Sequence, residues 1–206
     1  MKKVVVLDYG SGNIHSAVRM LERVGADVTL TADRDAVARA DGLLVPGVGN
    51  FHACASGLLA AGGGEMIAER LTRDAPVLGI CVGMQVMFDG SSEPATHQVA
   101  GLGLWRGEVE RLQAPVVPHM GWSEVEPPEN TRLFAGVEQE RFYFVHSYAA
   151  PDTVATLNPD AAMTRAVHGE PFAAAMEQGA LCATQFHPEK SGDAGAALLT
   201  NWLHTL

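Results

Sequence analysis

Cys81 sits in Leu78-Gly79-Ile80-Cys81-Val82-Gly83-Met84-Gln85, a thiol between two glycines directly after the apolar run Pro76 to Ile80. Such a run predicts a buried strand, and the residues after Gly83 predict a helix. A side chain at that junction is held on a sharp turn at the carboxyl edge of a sheet, where a nucleophile can be presented. The flanking glycines let the backbone turn and leave room for a substrate. Taken alone, Cys81 is better explained as a buried cysteine beside loop glycines. Phe186-His187-Pro188-Glu189-Lys190 shifts the balance. His187 and Glu189 follow the strand-like Leu181 to Gln185, so both emerge at that strand's carboxyl end. If the two strands are neighbours, Glu189 can orient and charge-stabilise the imidazole of His187. His187 can then take the thiol proton and later donate a proton to a leaving amine.

Pro46-Gly47-Val48-Gly49 is the third element. It closes the apolar Gly42 to Val45 on the same expected edge as Cys81. Backbone N–H groups there, with Val48 foremost, can face a developing oxyanion, and the N–H of Val82 is a natural second donor.

These groups need parallel strands to hold them, and the first part of the chain predicts them. Strand-like Val4–Leu7, Val28–Thr31, Gly42–Val45 and Pro76–Ile80 alternate with helical spacing over Ile14–Val24, Phe51–Ala60 and a stretch ending near Leu71. That alternation implies βαβ units with ligands at the carboxyl ends of the strands. From Gly103 to about Met176 the runs are short and β-rich, as in residues 105–112, 141–145 and 153–157, and predict antiparallel or mixed sheet. Strand Leu181–Gln185 and helix Ala194–His204 return to α/β. Residues 91–98 are expected to form the most mobile loop. The expected fold is therefore α/β, a mostly parallel sheet flanked by helices with an added antiparallel or mixed β section. At 206 residues it is expected to form one domain spanning residues 1–206.

Composition narrows the function classes. The net charge is −10, without a Lys/Arg cluster, which argues against nucleic-acid binding. Three cysteines without close spacing make neither a disulfide framework nor a zinc motif, and the eight histidines lack metal-ligand spacing. No cofactor fingerprint or P-loop is present, and no metal is expected. No segment is long and apolar enough to span a membrane, and a cytoplasmic location is expected.

The G-x-C-x-G-x-Q elbow, the later H-P-E and the P-G-x-G strand end together resemble the class I, or triad, glutamine amidotransferases. The resemblance implies hydrolysis of the γ-amide of glutamine by Cys81, His187 and Glu189. It implies an oxyanion hole at Val48 and Val82, and a glutamine site at Gly47, Gly49 and Gln85. Val82 stands where leucine is more usual, which leaves its backbone donor untouched. Four further stretches resemble one branch, in which the glutaminase supplies ammonia to a separate (β/α)8 cyclase subunit. They are Asp8 to Ile14, Val45 to Phe51, Pro118-His119-Met120-Gly121-Trp122 and Tyr143-Phe144-Val145-His146-Ser147-Tyr148. That branch implies a partner interface at or near Asn13, Trp122, Tyr143 and Lys190, while His119 and His146 are expected to be hydrogen-bonded structural residues. Two other classes remain compatible with the residues: a cysteine hydrolase acting on γ-glutamyl compounds or peptides, and a non-catalytic binding module.

Overall fold

The computed structural model describes residues 1–10 and 14–206. The chain runs β1 (Lys3–Leu7), α1 (His15–Arg23), β2 (Asp27–Thr31), α2 (Arg34–Arg39), β3 (Gly42–Val45), α3 (Phe51–Ala60), α4 (Gly63–Leu71), β4 (Val77–Ile80) and the short α5 (Val82–Gln85). It continues through β5 (Gly90–Ser91), β6 (Glu108–Arg111), β7 (His119–Glu124), β8 (Arg141–His146), β9 (Tyr148–Ala149) and α6 (Val154–Leu157). The last elements are β10 (Ala162–His168), β11 (Glu170–Gln178), β12 (Leu181–Thr184), a 3₁₀ turn (Pro188–Lys190) and α7 (Gly192–His204).

A seven-stranded sheet in the order β10-β11-β12-β4-β3-β1-β2 forms the centre. Strands β3, β4 and β12 are buried along their whole length. Continuous apolar runs of this kind suit a parallel sheet covered on both faces. The pairing of β12 with β4 is parallel, Leu181 opposite Val77 and Thr184 opposite Ile80, and β3 pairs with β4 in the same sense. The ends of β3, β4 and β12 therefore lie side by side, which is where ligands bind in open α/β sheets.

The β-rich middle divides in two. Strands β10 and β11 extend the central sheet antiparallel beyond β12. Strands β7 and β8 pair with each other, and β5, β6 and β9 form a third small sheet. Residues 153–157 are not strand. Val154–Leu157 form a helical turn whose Val154 is 1% exposed, and Asn158 ties it down by donating to the Val154 carbonyl at 2.8 Å while accepting from Arg106 N. Burial of one apolar residue against Gly107 thus outweighs the β-branched composition. Helix α2 has no counterpart in the sequence reading. It is short, buries Val37, and begins where Asp33 accepts from Ala36 N at 2.7 Å. Residues 91–98, expected to be mobile, are tied to α3: Glu93 accepts from Phe51 N at 2.7 Å, and Asn50 donates to Pro94 O at 3.2 Å.

Arg70 of α4 is 1% exposed. Its guanidinium donates to the carbonyls of Val37, Ala40, Asp41 and Pro76 at 2.7–3.1 Å, binding the end of α2 to the edges of the sheet. Pro76 O keeps a second donor in Leu43 N–H, but removing Arg70 takes this donor from the carbonyls of Val37, Ala40 and Asp41, and a buried acceptor costs about 1–3 kcal/mol to leave unmade. Arg70→Met is therefore expected to lose at least about 3 kcal/mol, read as a lower urea midpoint at unchanged slope. Arg34→Met removes only the exposed pairs with Glu65 and Glu69 and should leave the midpoint almost unchanged. Equal losses would show that these carbonyls do not depend on Arg70.

Candidate active site

Cys81 continues the strand pairing, its N–H donating to Thr184 O at 2.7 Å. Its backbone then turns through φ 56° and ψ −115°, a conformation that costs a residue bearing a Cβ about 1–3 kcal/mol. This is the strained strand-to-helix elbow that the flanking glycines predict. A Cβ on Gly83 would stand 2.0 Å from Val45 O, and one on Gly47 would stand 2.3 Å from Gly83 N. Only glycine at both positions lets the end of β3 lie against the elbow.

Strand β12 brings His187 to the same edge. The N–H of His187 donates to Tyr143 O at 3.0 Å, and Ser191 Oγ donates to His187 O at 2.7 Å, so β8 and the start of α7 hold the loop. His187 Nδ1 and Glu189 Oε1 lie 2.6 Å apart, both side chains almost fully buried. With Nδ1 committed to the carboxylate, the other ring nitrogen is the one left for the sulfur of Cys81. Burial alone would lower the His187 pKa, but hydrogen bonds and charge from Cys81 and Glu189 outweigh it and raise the pKa to about 9. The imidazole is then cationic at neutral pH. Such an arrangement can polarise a sulfur nucleophile and hand a proton to a leaving amine.

The oxyanion donors are a different matter. Val82 N–H is engaged, donating to Gly47 O at 3.3 Å. Because an amide's N–H and C=O point opposite ways across a trans peptide, the Val48 N–H faces away from Val82. In this conformation the two donors do not converge. The next peptide is held separately, with Cys54 Sγ donating to Val48 O at 3.1 Å from α3. Gly49 lies at φ +89°, so it is glycine for conformational reasons, as Gly47 is for close approach.

Beside the sulfur is a cavity of about 330 Å³, whose lining includes Val48, Gly49, Cys81, Val82, Gln85, His187 and Lys190. Gly47 lies behind it, against Gly83. Gln85 presents only part of its amide to this space. Its Nε2 donates to Tyr148 O at 2.9 Å and to Gln185 Oε1 at 3.0 Å, which leaves Oε1 for a ligand. Of the residues singled out for a partner surface, Asn13 lies outside the described residues. Trp122 is 53% exposed and packs edge-on against Tyr143, with ring centroids 6.0 Å apart. These two belong to the β7–β8 ribbon, and Lys190 lines the cavity beside Cys81.

His119 and His146 form a buried hydrogen-bonded chain. His146 Nδ1–H donates to Tyr148 O at 2.9 Å, so its Nε2 accepts from His119 Nδ1 at 3.1 Å, and His119 Nε2 in turn accepts from Ser123 Oγ at 2.8 Å. The carbonyl fixes every tautomer along the line. Burial lowers both pKa values, to about 4 for His119 and about 3 for His146, so both rings are neutral at pH 7. Gln185 and Glu93 are side chains around the site that the sequence motifs do not single out. A glutamine immediately before Phe186-His187 was the one available signal.

Among the described residues no helix is long and apolar enough to cross a membrane. The glutamine amidotransferase class-I family model matches residues 5–206. The imidazole glycerol phosphate synthase subunit HisH of Mycolicibacterium paratuberculosis is 57% identical over 206 residues, covering 100% of this chain and 98% of that protein. The HisH subunit of Corynebacterium diphtheriae is 56% identical over 213 residues, covering 100% of both. Among solved structures, PurLQS from Thermotoga maritima superposes with a TM-score of 0.71 at 18% identity, over 100% of this chain and 99% of that one. That likeness concerns the fold.

Proposed function

The chain belongs to the class I glutamine amidotransferases, and from that premise we propose that it is the glutaminase subunit of an imidazole glycerol phosphate synthase. The observation that carries the proposal is the convergence of three groups from distant parts of the sequence. Cys81 stands on its strained elbow, His187 lines the same cavity, and Glu189 Oε1 lies 2.6 Å from the imidazole Nδ1.

Glutamine enters the cavity beside the sulfur. Cys81 Sγ attacks the γ-amide carbon, and the carbonyl oxygen takes the negative charge. The imidazolium of His187 gives its proton to the departing nitrogen, so ammonia leaves and a thioester remains. His187, now neutral, removes a proton from water, which attacks the thioester carbon. The product acid departs and loses its proton to solvent as glutamate, the sulfur regains its electron pair, and His187 keeps the proton it took from water. Glu189 keeps the ring oriented and stabilises its charged form throughout. Val48 and Val82 supply the oxyanion donors once the Gly47–Val48 peptide has turned, and Gly47, Gly49 and Gln85 shape the glutamine site.

The ammonia passes to a (β/α)8 cyclase subunit. There it combines with the ribulosyl aminoimidazole carboxamide nucleotide PRFAR, giving imidazole glycerol phosphate for histidine biosynthesis and AICAR. Free ammonia is protonated in neutral water and loses its nucleophilicity, which favours direct transfer between docked subunits. Residues 1–206 act as one glutaminase domain in the cytoplasm, with Asn13, Trp122, Tyr143 and Lys190 at or near the partner.

Co-expression with the cyclase tests this reading. The two chains are expected to co-purify and to convert PRFAR with glutamine as nitrogen donor. A chain that instead hydrolyses γ-glutamyl peptides in preference to glutamine, and ignores the cyclase, would be a hydrolase of another class.

A further inference from the structure

Three hydrogen bonds run through the core from a backbone carbonyl to the nucleophile. Tyr148 O can only accept, so the Gln85 amide must turn its nitrogen toward it, at 2.9 Å. The same nitrogen spends its second hydrogen on Gln185, 3.0 Å away, so Gln185 must present Oε1 there. With its oxygen facing Gln85, Gln185 must direct Nε2 the other way. Nε2 lies 3.8 Å from Cys81 Sγ. Flipping either amide would set carbonyl against carbonyl or nitrogen against nitrogen. The orientation is therefore dictated by a group that cannot change. Gln85 and Gln185 are 3% and 1% exposed, so water does not compete for these bonds.

The sulfur thus meets the Gln185 amide donor from within the core, while the His187 imidazole lines the cavity it faces. An N–H pointing at sulfur complements a thiolate better than a neutral thiol. At 3.8 Å it is a long contact, so its role is to orient and bias rather than to generate the nucleophile. We propose that Gln185 is a positioning residue for the glutaminase reaction, its amide nitrogen held by the Tyr148–Gln85 chain so that it steadies the attacking sulfur of Cys81. The inference deepens the proposed function and rests on it. It also gives Gln85 a second task besides its contact with substrate: it sets the polarity of Gln185. The backbone N–H of Gln185 donates to Ala174 O at 2.8 Å, which anchors the residue independently of its side chain.

The test uses the complex with the cyclase and two variants of nearly unchanged length, Gln185→Met and Gln185→Glu. Iodoacetamide labelling of Cys81 is followed against pH, with Cys81→Ser in the complex as the blank for the other cysteines. Removal of this long donor contact is expected to move the labelling midpoint up by a few tenths of a pH unit in Gln185→Met, roughly the low end of a hydrogen bond's worth. The shift should be larger in Gln185→Glu, where a carboxylate replaces the amide nitrogen. The acid limb of kcat should move with it, while KM for glutamine changes less than about threefold, as suits a contact that substrate does not make. A merely structural role would lower folding stability and leave the midpoint in place. Wild-type midpoints in both variants would overturn the proposal, as would a shift in Gln185→Met with none in Gln185→Glu. If the wild-type complex itself fails to turn over glutamine, the proposed function fails instead, and the two failures are told apart.

Discussion

Cys81→Ala is expected to abolish glutamine-dependent synthesis by the complex, by about 10⁴-fold or more, and to leave ammonia-dependent synthesis intact. The side chain removed is small and buried, so the loss should be chemical rather than structural. Without sulfur no thioester forms, and neither His187 nor the oxyanion peptide can replace it. Ammonia added from solution bypasses this chain altogether, so the cyclase should work at its ordinary rate. Loss of both activities would mean that Cys81 holds the fold or the interface. The same variant carries a pH signature. His187 has a folded pKa of about 9, raised above the ordinary 6.5, so it binds its proton more tightly in the folded chain. The stability this supplies is complete below about pH 6.5 and is lost as the pH rises through about 9. In Cys81→Ala one of the groups holding that proton is gone, so the alkaline loss should still begin near pH 6.5 but be smaller and end at lower pH. Urea midpoints at a series of pH values measure it.

The isolated chain is expected to hydrolyse glutamine at least about 10²-fold more slowly than the complex with acceptor bound. Each donor of an oxyanion hole is typically worth a factor of that order, and here the donors do not converge. Gly47 O occupies the Val82 N–H, and the Val48 N–H points the other way. Turning one peptide, between Gly47 and Val48, would free the first and bring in the second. The Val48 carbonyl is pinned to Cys54 on α3, which confines the movement to that peptide. A glutaminase without its acceptor wastes glutamine, so a hole that assembles only on the loaded partner has a physical rationale. Steady-state glutamate release by the chain alone, with empty cyclase, and with cyclase plus acceptor gives the three rates to compare. Equal rates would sink the gating idea.

Much of the candidate site was legible because its signals are local. An apolar run that ends in Gly-x-Cys-x-Gly specifies its own turn, and His187 and Glu189 lie two residues apart across a proline. The alternation of strands and helices placed both segments at carboxyl ends. What local pattern could not supply was the neighbour of each strand. The parallel pairing of β12 with β4 turns two promising segments into one site. The β-rich middle was harder for the same reason. Its short runs carry little periodicity, so residues 153–157 became helix under the packing of Val154, and β10–β11 joined the central sheet. Helix α2 was missed because six residues with one buried apolar side chain scarcely show a helical period.

By itself, then, the sequence determined the chemistry available: a thiol on a turn, an imidazole with its carboxylate, glycines where backbones must touch. Only the tertiary structure decided how those groups are poised. Gln85 and Gln185 are 100 residues apart, and their amides acquire a direction only when the Tyr148 carbonyl is set beside them. The Gly47–Val48 peptide has two orientations that the same residues allow, and the Val82 N–H against Gly47 O selects one of them. The physical reason is common to both. Hydrogen-bond polarity belongs to pairs of groups, and the pairs around Cys81 exist only after distant segments have packed.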